Sequence, residues 1–193
     1  MAFRRDLGLA GWRFPAATHS EAALSRDQAT GRYWRRHGLT SHWAKAPYQQ
    51  PVPDRTLPWR TLRDAIGDLP EPLEPLDAKL EHPSWSHHVG WPGAREYPGH
   101  TPNDLDRPAK TVKAGVHGVP GGETVLRRDD GSIRYMTVRE VARVMTFPDS
   151  WRLAGPRGEQ MRQLGNAVPV LLGRVVAEAV ADALRPAVKV ATG

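Results

Sequence analysis

The chain has 193 residues, with Gly and Pro at 18 each, no cysteine and a formal charge of +6. So many turn-formers beside 39% hydrophobic residues point to a loop-rich protein with a modest core, and the missing thiols exclude disulfide frameworks, thiolate metal sites and a cysteine nucleophile within these residues. No apolar run reaches the roughly 18 residues that span a bilayer, and MAFRRDLGLAGW is too poor in apolar residues for a signal peptide, so a cytoplasmic protein is expected.

Charge is arranged in blocks: residues 1–60 carry ten basic and four acidic groups, 61–106 three and nine, and 107–193 fourteen and eight. Two basic blocks around an acidic one suit a folded-back chain or a groove. With seven Trp and four Tyr they also suit a nucleic-acid partner, because cations meet phosphates and aromatic rings stack on bases. A basic surface serving solubility alone explains the charge equally well.

Residues 1–60 show no sustained helical or strand period, and their aromatics, from Trp12 to Trp59, are scattered, so this stretch reads as irregular. The tryptophans are expected mainly as packing anchors. Twelve of the 18 prolines fall within 47–108, which disfavours a long helix or central strand there. One short helix interrupts them: Thr61 can cap it, Leu62, Ala65, Ile66 and Leu69 share a face, and Pro70 stops it. Beyond residue 109 the pattern predicts a strand over 110–116, a turn over 117–122 and a strand over 123–128. A hairpin turn at Asp130-Gly131 and a returning strand over 132–136 follow. Thr137 and Glu140 form a capping box for a helix that buries Val138, Val141, Ala142 and Met145 and ends near Phe147, ahead of Pro148. A last helix starts around Pro169 and runs to about Leu184, with a wide apolar arc of Leu172, Val175, Val176, Ala179, Val180 and Ala183.

His82, His87 and His88 lie in a Pro-rich loop without metal-ligand spacing, so they read as satisfied or solvated loop histidines. The carboxylates of 64–81 read as a solvated acidic face. GVHGVPGG at 115–122 does not join a strand to a helix and is a poor phosphate loop. The residues by themselves therefore describe a basic, loop-rich binding module with a helical end-piece, with no catalytic side chain and no metal site.

Two segments carry a more specific signal. RYMTVREVARVMTFPDSW (134–151), followed by QLGNAVPVLLGRVVAEAVADAL (163–184), closely resembles the last two signature motifs of bacterial DNA cytosine-5 methyltransferases. The matching positions are Arg134, Thr137, Arg139, Glu140, Ala142, Arg143, Phe147, Pro148, Asp149, Gln163, Gly165, Asn166, Ala167, Val168 and Pro169. Upstream, DRPAKTVKAGVHGVPGGE (106–123) resembles the end of that family's target-recognition region, and residues 1–70 resemble more loosely the segment after its eighth motif. Residues 71–105 match nothing recognisable.

The resemblance implies an α+β, loop-rich chain that is an incomplete piece of an α/β Rossmann-like methyltransferase. Residues 1–20 would be a remnant of the catalytic domain, 21–132 the target-recognition region, and 133–193 a helical segment completing the catalytic domain. It implies Gly165, Asn166 and Ala167 beside the methionine end of S-adenosylmethionine, where free N–H groups at a helix start would suit a carboxylate; Ala167 stands where the family more often has Ser. It implies DNA contacts at Thr111, Lys113, His117 and Gly118, with Thr111 on a phosphate. It gives Arg134, Thr137, Arg139, Glu140, Arg143, Pro148 and Asp149 structural roles. The expected partners are double-stranded DNA and an N-terminal methyltransferase half that carries the Pro-Cys nucleophile and the Gly-rich cofactor loop. A non-catalytic DNA-binding remnant is the competing expectation. The apolar arc of the last helix, lacking the sheet it covers in the family, is expected to be partly exposed.

Overall fold

A computed structural model of the chain describes residues 3–9, 11–39, 55–73, 82, 84–96, 98–99, 101–114 and 124–190, the side chains of the last helix to 185. The chain is a mixed α/β protein with short sheets, and it divides into two units, residues 18–167 and residues 1–17 with 168–193.

The larger unit opens with β1 (His19–Ser20) and α1 (Glu21–Ala29), then α2 (Arg32–Arg36). These helices correct the expectation that residues 1–60 are irregular. Ser20 caps α1 by accepting from the Ala23 amide, with Glu21 in the first turn. β1 pairs in parallel with β2 (Leu57–Pro58). Tyr33 on α2 is fully buried, and its hydroxyl lies 2.9 Å from Thr61 Oγ1 and donates to Asp106 Oδ1 at 2.8 Å.

Next comes α3 (Leu62–Ile66), where Thr61 caps as expected. Asp64 completes the capping box by accepting from the Thr61 amide at 2.8 Å. The helix stops a turn earlier than expected, and Leu69 packs on the core from beyond its end.

The three-stranded sheet has the order β3 (Asn103–Asp104), β4 (Val125–Arg127), β5 (Ile133–Tyr135), parallel then antiparallel. The β4–β5 hairpin turns at Asp130-Gly131 as expected, with Gly131 at φ 84°. The expected strand over 110–116 is not found: its described part, 110–114, joins no ladder. The place beside β4 is taken by β3, locked by Asn103, whose amide donates to Val125 O and accepts from the Lys110 N–H. The turn expected over 117–122 lies outside the described residues.

The capping box of α4 (Val138–Val144) is present, and Val138, Val141, Ala142 and Met145 are buried as expected. Thr137, Arg139 and Glu140 are buried too, so α4 is enclosed on nearly every side. A further helix, α5 (Arg157–Asn166), completes the unit and sets Met161 and Leu164 against α4. The core joins Leu62 and Ile66 of α3, Leu126 and Met136, Val138, Val141 and Ala142 of α4, and those two residues of α5. Each fully buried Leu or Val contributes roughly 1.5–3 kcal/mol. Three tryptophans depart from the packing role: Trp59, Trp91 and Trp151 are exposed.

In the smaller unit Phe3, Trp12 and Phe14 form an edge-to-face aromatic row, and the Trp12 indole donates to Ala179 O at 3.4 Å. Its helix is α6 (Val170–Val190). None of the described side chains of α6 is buried, and Leu172 is 55% and Val175 45% exposed, in line with the expected open apolar arc.

Candidate functional site

The segment 110–114 runs between Asn103 and the end of α5. Val112 and Ala109 pack inward on the core, which turns Thr111 and Lys113 outward, and both are exposed. Lys110 is held back by Thr101, whose carbonyl and hydroxyl it contacts. The backbone then lies on Gly165: a Cβ there would stand 2.4 Å from the Ala114 nitrogen, 2.5 Å from the Lys113 carbonyl carbon and 2.7 Å from Ala114 Cα. Asn166, the last residue of α5, is exposed, and the Ala167 amide donates to Leu164 O at 3.2 Å. Gly165, Asn166 and Ala167 thus close α5 rather than open α6. Helix bonding takes up amides expected to be free, because residues 157–166 coil into a helix that spacing had not revealed. His117 and Gly118 lie outside the described residues.

The remaining motif residues form a brace around α4. Arg134 forks onto Glu140 at 2.6 and 2.8 Å, and Glu140, 1% exposed, also accepts from the Thr137 amide at 2.7 Å. Burial disfavours the Arg134 charge, but Glu140 outweighs it and raises the pKa. Arg139, also 1% exposed, donates to the carbonyls of Ser86, Pro148 and Trp151 and to the Ser86 hydroxyl. Arg143 forks onto Asp149, at 2.8 Å for each bond, and reaches Asp68 and Ala65 O. That pairing holds the Asp149 carboxyl below its ordinary range.

Of the carboxylates expected as a solvated face over 64–81, the described ones are Asp64, Asp68 and Glu71; Asp68 and Glu71 are exposed, Asp64 is partly buried, and each has a cationic partner. Asp64 pairs with Arg36, Asp68 with Arg143, and Glu71 with Arg128 and Arg134. These pairings were not legible in the sequence, because every one of the cations except Arg36 lies more than 50 residues away.

One group satisfied as expected and one that the sequence did not single out lie close to this brace. His88 is fully buried, with Nε2 2.8 Å from Pro70 O and Nδ1 2.9 Å from Thr137 Oγ1. A carbonyl only accepts, so Nε2 carries the proton and Nδ1 accepts from the threonine hydroxyl. Burial pushes its pKa below the usual histidine value. Arg157, at the start of α5, stacks over Trp91 at 4.9 Å and donates to Met136 O, while its Nε and Nη1 are shielded from solvent without a partner among the described residues. Burial pulls its pKa down to about 10.

A cavity of about 370 Å³ borders this brace, lined by Arg63, Glu71, Arg128, Asp129, Arg134 and Glu140. Its cations are paired within the protein, Arg63 with Asp106 and Asp129 among them. Among the described residues no His, Asp and Glu cluster has metal-binding geometry, and no helix is long and apolar enough to cross a membrane.

The sequence profile of the C-5 cytosine-specific DNA methylases matches residues 77–182. Type II methyltransferase M.AplI of Arthrospira platensis is 37% identical over 123 residues, covering 62% of this chain and 35% of that protein. M.SacI of Streptomyces achromogenes is 29% identical over 168 residues, covering 75% of this chain and 43% of the relative. M.AgeI of Thalassovita gelatinovora is 50% identical over 54 residues, 28% of this chain and 13% of that protein. The chain thus spans less than half the length of each of these relatives. The brace around α4 and the helix end at Gly165 both lie within the matched residues, and the chain belongs to the C-5 cytosine-specific DNA methylase family.

Proposed function

We propose that this chain is the DNA-recognising, cofactor-completing C-terminal part of a type II DNA cytosine-5 methyltransferase, with residues 133–193 completing a Rossmann-like catalytic domain. The observation that carries the proposal is the meeting of two segments at Gly165. The outward pair Thr111 and Lys113 leads directly into the backbone that rests on the helix end bearing Asn166 and Ala167. DNA phosphate and cofactor would be met from neighbouring positions.

Thr111 and Lys113 would hold the sugar–phosphate backbone, which sets register without reading sequence. S-adenosylmethionine would supply an electrophilic methyl group for C5 of a cytosine turned out of the duplex. Asn166 fits the amino-acid end of that cofactor: its side-chain amide is exposed, with no partner among the described residues, so donor and acceptor are both available. The family's thiolate nucleophile would come from outside these residues, which contain no cysteine. It would lie on a longer chain or on a second subunit.

Labelled methyl transfer to duplex DNA tests this. The purified chain is expected to transfer nothing alone and to restore transfer when mixed with a family N-terminal part carrying the Pro-Cys motif. Transfer by the chain alone, or no transfer by the mixture, would overturn the proposal.

A further inference from the structure

We propose that Gly165 is a positioning residue whose missing side chain sets where Thr111 and Lys113 meet the sugar–phosphate backbone of duplex DNA. The inference rests on the DNA-recognition role proposed above, but it gives Gly165 a different task from touching the cofactor.

Within a helix, glycine is disfavoured against alanine, so a helical glycine asks for a reason in its surroundings. α5 contains two internal glycines, and their surroundings differ. Gly158 has nothing among the described residues within 4 Å of its ideal Cβ position, whereas Gly165 has three backbone atoms within 2.7 Å. All three belong to Lys113 and Ala114, and backbone cannot swing aside as a flexible side chain can. Residues 110–114 join no strand ladder among the described residues that would otherwise fix them. Asn103 holds the Lys110 amide at one end, Val112 packs on the core in the middle, and Gly165 lies beneath Lys113 and Ala114 at the other end. A methyl group at 165 must lift the segment or shift the helix end. Either movement displaces Thr111 and Lys113 relative to Asn166 and Ala167. A hydrogen bond to phosphate needs its donor placed within a few tenths of an ångström, so lifting the segment breaks such bonds without altering any DNA-touching side chain.

Gly165→Ala and Gly158→Ala, compared with the wild-type chain, separate this from a change in helix stability. Hydrogen–deuterium exchange of peptides covering 108–114 reads the positioning without DNA. Duplex titration at several salt concentrations reads its consequence. Gly158→Ala is expected to match the wild type in both. Gly165→Ala is expected to speed exchange in 108–114, to weaken DNA binding about tenfold, and to reduce the salt slope by about 0.9 for each phosphate that is no longer neutralised. Reduced stability alone, measured well below the unfolding midpoint, leaves that slope unchanged. Unaltered exchange in Gly165→Ala would overturn the positioning role whatever happens with DNA. Altered exchange with unaltered affinity and slope would overturn its link to DNA. A wild-type chain that binds no duplex at low salt would overturn both the recognition role and that link, while the exchange result still decides whether Gly165 holds the segment.

Discussion

Two arginines near α4 show how a buried charge is held. Arg134 has Glu140 as a bidentate partner, while Arg157 has one carbonyl, an aromatic face and, among the described residues, no carboxylate. Removing one member of a buried pair strands the other charge and costs about 3–5 kcal/mol, whereas replacing an unpaired buried charge by an apolar chain removes a desolvation cost. Urea unfolding should therefore separate the two: Arg134→Met destabilising by about 3–5 kcal/mol, Arg157→Met neutral or stabilising. A large drop in stability in Arg157→Met would mean that its carbonyl bond and its stacking outweigh desolvation. His88 supplies a pH dependence. Its pKa is lowered in the folded chain, so the unfolded chain binds the proton more readily. The stability it contributes is complete above its ordinary value of 6.5 and diminishes as pH falls below that. His37 is shifted the same way, whereas Asp64 and Asp149 act only below 3.8. The urea midpoint should fall between pH 7.5 and 5, and fall less in His88→Gln. Equal slopes in the two proteins would exclude His88 as the source.

At the scale of elements, α4 and α6 are opposites. α4 has seven residues and is enclosed, its start locked by the Thr137–Glu140 box. α6 has 21 residues, about 31 Å of helix, and none of its described side chains is buried. So long an apolar arc in water marks an interface or an aggregation site. On the proposed function, the arc would be covered by the catalytic part of a methyltransferase. The chain alone is therefore expected to self-associate with rising concentration in sedimentation. Leu172→Glu with Val175→Glu should return it to a monomer and impair assembly with an N-terminal part, while duplex binding by residues 18–167 persists. A wild-type chain that stays monomeric at high concentration would show that this face needs no cover.

For the whole molecule, the legible features were those specified within a few residues. Thr61 and Thr137 were recognisable as caps because a capping box closes within three residues. Asp130-Gly131 was legible because that turn needs a positive φ, and α6 because its apolar residues repeat at helical spacing. α1 and α5 escaped because their apolar residues are few and glycine interrupts α5, although Ser20-Glu21 was a usable start signal for α1. The family motifs were legible as residues, but their arrangement was not. The sequence by itself determined the caps, the hairpin, the terminal helix and the family. Only the tertiary structure decided that 110–114 lies on Gly165 instead of pairing with β4, that Asp68 and Glu71 pair with distant arginines, and that Arg157 meets, among the described residues, a carbonyl and an indole instead of a carboxylate. These outcomes depend on which backbones and charges meet across tens of residues, where local periodicity carries no information.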